Sequence, residues 1–309
     1  MWKRFRRQEP SPARSVLPSS LVPITAPARL SLRDDPDPAT AFFAVLEDYR
    51  RRGQGVALDM RPVEQLTPET CAMLAAVMEM FRRKKLIVRG TSPRAEAARA
   101  LLVRSGFFEH VTPMVPPAPV RGDLGQIRRR RNDEGLADPT LVDTFVNFAS
   151  SRSISRPEHK PSYRCLLECM ANTRNHATEQ FGGRQPWWVA VHFDPETNIS
   201  AFSFLDFGVG ILKSANIRMA RKLWLKLGIA TPADLLREVL TGEIPSRTEL
   251  PYRGRGLPGM VKTCRSGQVR RLVVVANDAH ADVEPGVYRK LKKPLHGTLV
   301  YWELHPREN

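Results

Sequence analysis

Two apolar runs in the second half of the chain leave little choice of fold. Trp187-Trp188-Val189-Ala190-Val191-His192-Phe193 and Ile199-Ser200-Ala201-Phe202-Ser203-Phe204-Leu205 are rich in aromatic and β-branched residues and too short for typical helices. Only Asp194-Pro195-Glu196-Thr197-Asn198, a set of turn formers, lies between them. The pair predicts an antiparallel hairpin. Further strands are expected at Arg271 to Ala276 and Leu299 to Leu304. Helices are expected at Leu141 to Ser150, with Leu141, Phe145 and Phe148 inward, and at Pro161 to Gln180, where proline comes early and Gly182-Gly183 follows. An antiparallel sheet with helices on one face is an α+β sandwich, expected over 141–309.

The first half alternates between strand and helix patterns. Leu30 to Leu32 is a strand candidate. Asp37 opens a helix with Phe42, Phe43, Val45, Leu46 and Tyr49 on its apolar face, ended by Gly53. Gly55 to Asp59 and Lys85 to Gly90 are buried strands. Thr67-Pro68-Glu69-Thr70 starts a helix with a capping hydroxyl, proline at the first position and an early carboxylate. Its apolar positions are Met73, Leu74, Val77, Met80 and Phe81. A further helix spans Pro93 to Arg104. The chain of 309 residues thus divides into a basic mobile arm (1–20), an α/β unit (21–115), a linker rich in proline and arginine (116–140) and the sandwich (141–309).

The net charge of +16 is spread over both halves, which permits nucleic acid, nucleotide or anionic membrane partners. No apolar run reaches the ~20 residues of a membrane helix, and no apolar stretch follows the basic N-terminus as in a secretory signal. The expectation is a cytoplasmic protein. Cys71, Cys165, Cys169 and Cys264 lack zinc-ligand spacing and read as reduced, buried thiols.

Four polar signals interrupt the apolar pattern of the second unit. Glu168, Asn172 and His176 recur every fourth residue and so line one face of the long helix. Burying a carboxylate, a carboxamide and an imidazole together is costly unless they meet a ligand or one another. Asp206-Phe207-Gly208-Val209-Gly210 puts an acceptor at a strand end, followed by glycines that let a flat ligand approach the backbone. Arg253-Gly254-Arg255-Gly256-Leu257-Pro258-Gly259 opens a helix, where free amides and the dipole attract phosphate. Gly297-Thr298 precedes the last strand.

In this order the four signals resemble the N, G1, G2 and final boxes of the GHKL superfamily of ATPases, over residues 140–309. That resemblance implies a domain binding ATP with Mg2+. Asn172 would hold the metal, and Glu168 would orient or deprotonate the attacking water or hydroxyl. Asp206 would accept from the adenine amine, with Thr298 in support. Gly208 and Gly210 would flank the base. Arg253, Gly254, Arg255, Gly256, Leu257 and Gly259 would surround the phosphates, with His176 as a polar neighbour. Pro258 departs from the small residues common there. The segment 211–253 would be a lid.

The order of elements in 21–115 resembles STAS domains of the anti-sigma-antagonist type. It rests on Gly55 to Asp59, the helix starting at Thr67, Leu86 to Gly90 and Leu101 to Phe107. Gln65-Leu66-Thr67 stands where switching members carry an Asp-Ser or Asp-Thr pair, so Thr67 is expected to act as an N-cap. The helix after Thr67 is expected to expose a docking face. The two resemblances together imply an ATP-binding signalling protein with ATP hydrolysis or Ser/Thr phosphotransfer, an ATPase or anti-sigma-type kinase, that meets a protein partner or a second copy through its first unit. A non-catalytic ATP-gated switch and a basic nucleic-acid-associated protein of the same fold are the alternatives.

Overall fold

The computed structural model describes residues 21–109, 111–114, 126–132, 138–152, 160–176, 187–214, 225, 228–244 and 256–306. The arm, most of the linker and the middle of the expected lid lie outside these residues. The chain is mixed α/β, with one parallel and one antiparallel main sheet.

The first unit contains β1 (Val22–Thr25), β2 (Arg29–Leu30), α1 (Pro36–Arg51), β3 (Val56–Asp59), β4 (Gln65–Leu66), α2 (Pro68–Arg83), β5 (Val88–Gly90), α3 (Glu96–Arg104) and β6 (Thr112–Pro113). Its sheet runs β1-β3-β5-β6, all parallel, and β2 pairs with β4 beside it. Strand β1 was not foreseen. Pro23 demotes its sequence as a strand, and it is tolerated here because β1 is an edge. Helix α1 ends as expected before Gly53, whose φ of 72° lies in the left-handed region. Val45, expected on its apolar face, is exposed.

The second unit contains β7 (Gln126–Asn132), α4 (Pro139–Arg152), α5 (Lys160–His176), β8 (Trp187–Asp194), β9 (Ile199–Asp206), the one-turn α6 (Ile211–Ser214), α7 (Pro232–Thr241), α8 (Gly256–Arg265), β10 (Arg270–Asp282) and β11 (Val287–Leu304). The sheet order is β10-β11-β9-β8-β7, antiparallel throughout. Residues 126–132, expected in the linker, form its edge strand β7. The arginine run 128–131 hid a strand, because charge at a sheet edge guards against further pairing. Strands β10 and β11 extend well past the expected bounds into a long hairpin, with register shifts around Asn277.

Alternation along each strand sends side chains to two separate cores. Trp187, Val189, Phe202, Phe204, Val300 and Trp302 join the core under α4, α5, α7 and α8. Trp188, Ala190, Ala201, Leu205, Val273, Leu299 and Tyr301 join the core of the first unit. The expected sandwich with helices on one face is therefore corrected: both faces are covered, and the first unit is the second cover. Helix α1 packs on β11, and α2 lies against β8 and β9.

This also corrects the expected docking face of α2. Every residue from Glu69 to Met78 is buried, so the helix lies within the protein. Thr67 occupies the N-cap position, but its hydroxyl makes no capping bond. It donates instead to the Glu69 carboxylate and lies 3.0 Å from the Thr70 hydroxyl. At 9% exposure Thr67 is closed off by the packing around it.

Polar contacts tie the units together at the same seam. Arg33 donates to the Tyr301 hydroxyl at 2.7 Å and to Glu303 Oε1 at 3.1 Å, and its guanidinium sits over the Tyr301 ring. Burial alone would lower the Arg33 pKa, but Glu69, Tyr301 and Asp34 hold it above its ordinary value. His280 Nε2 donates to the Arg33 carbonyl at 3.0 Å. Burial lowers the His280 pKa to about 4, so the ring is neutral. Trp188 Nε1 donates to Glu79 of α2 at 3.3 Å.

A shared core predicts one cooperative unfolding transition. Calorimetry and circular dichroism should give coincident midpoints. Trp188→Ala should cost about 3–5 kcal/mol and lower the stability of both units together. Two separate transitions would contradict this account.

Candidate functional site

The cleft lies at one end of the second unit, between α5, the end of β9 and the start of α8. Its lining includes Asn172, Asp206, Gly208, Gly210, Leu257 and Thr298. Four separated segments thus bring six of the expected residues together. Cys169, Thr173, Phe204, Val209, Ile211 and Val300 complete the walls. The cavity volume is about 40 Å³, room for a few waters.

Asp206 is the last residue of β9, and Thr298 is its register partner on β11. The alternation that sends Leu205 and Phe207 into the shared core turns Asp206 toward the cleft. Asp206 Oδ1 accepts from the Gly208 amide at 2.8 Å, and the Thr298 side chain also donates to the carboxylate. Burial raises its pKa from 3.8 to about 6, and those two hydrogen bonds only partly offset it. Beside it Gly297 has a φ of 108°, and a Cβ there would meet the Asp206 carbonyl oxygen at 2.0 Å. No other residue fits where β11 crosses the end of β9.

The loop after β9 is held by Asn277, which the sequence analysis did not single out. Its Nδ2 donates to the Val209 carbonyl at 2.8 Å, and its Oδ1 accepts from the Leu212 amide at 3.1 Å. Gly210, with φ 82°, lets Asn277 approach, since a Cβ would lie 2.5 Å from its Oδ1. The sequence carried a signal: Asn277 breaks the apolar run Leu272 to Ala276 at a register shift.

Of the α5 residues spaced by four, Asn172 is among the lining residues of the cleft and Glu168 is not. Glu168 is exposed and lies near Gly256 at the start of α8, where a Cβ on Gly256 would meet Glu168 Oε2 at 2.4 Å. Partial burial raises the Glu168 pKa. His176 is the last residue of α5, and its side chain lies outside the described residues, as do Arg253, Gly254 and Arg255. Leu257 is in the cleft wall, whereas Gly259 is not among the lining residues. Pro258 sits in the first turn of α8, where a missing amide hydrogen is tolerated.

Cys71, Cys165, Cys169 and Cys264 are free and buried. Among the described residues no group of three or more His, Cys, Asp or Glu is arranged to hold a metal ion. Among the described residues no helix is long and apolar enough to cross a membrane. Compared with models of known protein families and with curated proteins, the chain matches none of them.

The raised pKa has a sign that can be measured. The folded protein holds the Asp206 proton more tightly than the unfolded chain. Ionisation therefore removes stability as pH rises from about 4 through about 6, and the loss is complete at neutral pH. Asp206→Asn should raise stability at pH 7 by on the order of 1–2 kcal/mol, and the gain should vanish near pH 4. A second variant, Asn277→Ala, should speed amide exchange of residues 209–212 by about tenfold or more while leaving α4 unchanged.

Proposed function

We propose that the second unit binds an adenine nucleotide with Mg2+ in this cleft, as a GHKL-type module, and that the nucleotide state acts on the STAS-like first unit. One observation carries the reading: Asn172, Asp206, Gly208, Gly210, Leu257 and Thr298, drawn from four separated segments, line a single cleft.

Each group has a chemical part in it. Asp206 accepts from the Gly208 amide and the Thr298 side chain, and a carboxylate with about four lone-pair sites keeps acceptor capacity for an amine of the base. A carboxylate kept in a poorly solvated site at a stability cost is typical of a ligand-binding group. Glycines 208 and 210 leave the loop backbone open beside the base. The first turn of α8 directs free amides toward the phosphates. Asn172 would hold Mg2+ through its carboxamide oxygen, and the metal supplies charge neutralisation on the phosphates. Glu168, beside Gly256, would orient a water or hydroxyl.

The shared core favours a switch over an isolated ATPase. The strand end that bears Asp206 also bears Phe207, which packs edge-on against Trp188 with ring centroids 5.0 Å apart. A change at the cleft therefore reaches the seam with α2 through adjacent residues. Hydrolysis or phosphotransfer through Glu168 is the catalytic form of the same reading.

Calorimetry on the full chain tests it, since a fragment 141–309 would lose β7 and uncover one sheet face. ATP and ADP should bind below millimolar concentrations. Asp206→Asn should weaken both by about 10–100-fold, because the base contact is common to them. Asn172→Ala should weaken Mg-ATP about tenfold more than metal-free ADP. Failure of both nucleotides to bind would end the proposal, and equal losses in Asn172→Ala would remove its metal role. If Glu168→Gln abolishes ADP production without changing affinity, the module is catalytic. If the wild type makes no ADP, it is a switch.

A further inference from the structure

A second cavity lies on the opposite face of the sheet, between the two units, with a volume of about 570 Å³. That is within the range of small-molecule sites and far larger than the cleft. Its apolar lining comes from both units: Phe43 of α1, Met73 and Val77 of α2, and Phe207, Leu291 and Leu295 of the second unit.

The charged groups at this cavity are unevenly matched. Glu47 is held by Arg50 at 2.7 Å and Arg51 at 2.8 Å, and Asp48 pairs with Arg52 at 2.7 Å. Those two carboxylates are neutralised by arginines of α1 and its C-cap. Lys213, Lys290 and Lys292 also line the cavity, and none forms a salt bridge with another described residue. Against these three cations the cavity offers one further carboxylate, Asp278. An apolar interior with surplus positive charge selects a ligand with the opposite pattern.

We propose that this cavity binds a small amphipathic anion, an acidic head on an apolar body, with the head among Lys213, Lys290 and Lys292 and the body against Phe43, Met73 and Phe207. The site is positioned to be sensed. Phe207 is one wall and Asn277 borders the cavity, and the same Asn277 pins Val209 and Leu212. Occupancy therefore stiffens the loop 207–212 from behind. The inference does not rest on nucleotide binding, because the ligand enters this second cavity and its binding is read by calorimetry; the loop 207–212 lies between the two cavities.

Decanoate is the probe, with decanol as its uncharged counterpart, both titrated calorimetrically into the full chain. The expected result is saturable decanoate binding with decanol at least about tenfold weaker. The double variant Lys290→Ala/Lys292→Ala should weaken decanoate about tenfold and leave decanol unchanged. The backbone amide of Lys292, which donates to Asp37 at 2.8 Å, is untouched by that change. Ala44→Trp, which fills the cavity from α1, should weaken both ligands by about tenfold or more. Amide exchange at 209–212 should slow about threefold when decanoate is bound. The proposal is overturned if decanoate does not saturate by about 1 mM, if decanol binds equally well, or if the lysine variant binds decanoate like the wild type. Binding confined to phosphatidylglycerol vesicles, without binding of free decanoate, also overturns it.

Discussion

An antiparallel sheet with apolar side chains on both faces must be covered twice, and the second cover organises this protein. Trp188, Leu205, Leu299 and Tyr301 would face water without α1 and α2. Burial of each large side chain contributes about 1.5–3 kcal/mol, enough that neither unit keeps its structure unchanged if parted from the other. The cover also fixes which end of the sheet stays open. With both faces taken, the cleft opens at the end of the sheet, in the gap between α5, α8 and the end of β9. Strand pleating then divides labour between neighbours, with Asp206 turned to the cleft and Phe207 to the seam.

The seam is not purely apolar. Arg33 meets Asp34, Tyr301 and Glu303 in a largely buried cluster, and Asp34 also takes Arg271 at 2.8 Å. Charges in such a place add little net stability, because desolvation offsets most of the attraction. They do penalise misplacement. Sliding α1 along β11 by one turn would leave a buried guanidinium without its acceptors, whereas aliphatic contacts alone would tolerate the shift. The apolar residues hold the units together, and Arg33 sets their register.

Much of the fold was legible because its elements carry local signals. Strands β8 and β9 announced themselves by uninterrupted aromatic and β-branched runs, and α2 by Thr67-Pro68-Glu69. Those same runs held a further message: strands apolar at successive positions, such as Trp187 and Trp188, are buried on both sides. The second cover was not inferred because helix α2 reads as amphipathic, while the small residues Ala72, Ala75 and Ala76 allow close packing around most of its circumference. Strand β7 was hidden by its arginines, since strand pairing depends on backbone groups that a charged sequence does not advertise. At the candidate site Asn172, Asp206 and Thr298 stood out as polar residues in apolar surroundings. Asn277 was missed because its role lies in a contact with a loop 65 positions away. The tight place of Gly297 against the Asp206 carbonyl is likewise a fact of crossing strands, with no local trace.

The bond between Arg33 and Tyr301 joins residues 268 positions apart. On a ribosome, α1 and α2 emerge long before β11 exists to receive them. For most of synthesis the first unit must therefore display the surface of α1 and α2 that finally rests on the sheet. At roughly 5–20 residues per second that interval lasts some tens of seconds. A nascent chain with so delayed a closing contact is a natural client for chaperones, and its yield should depend on elongation speed as much as on final stability.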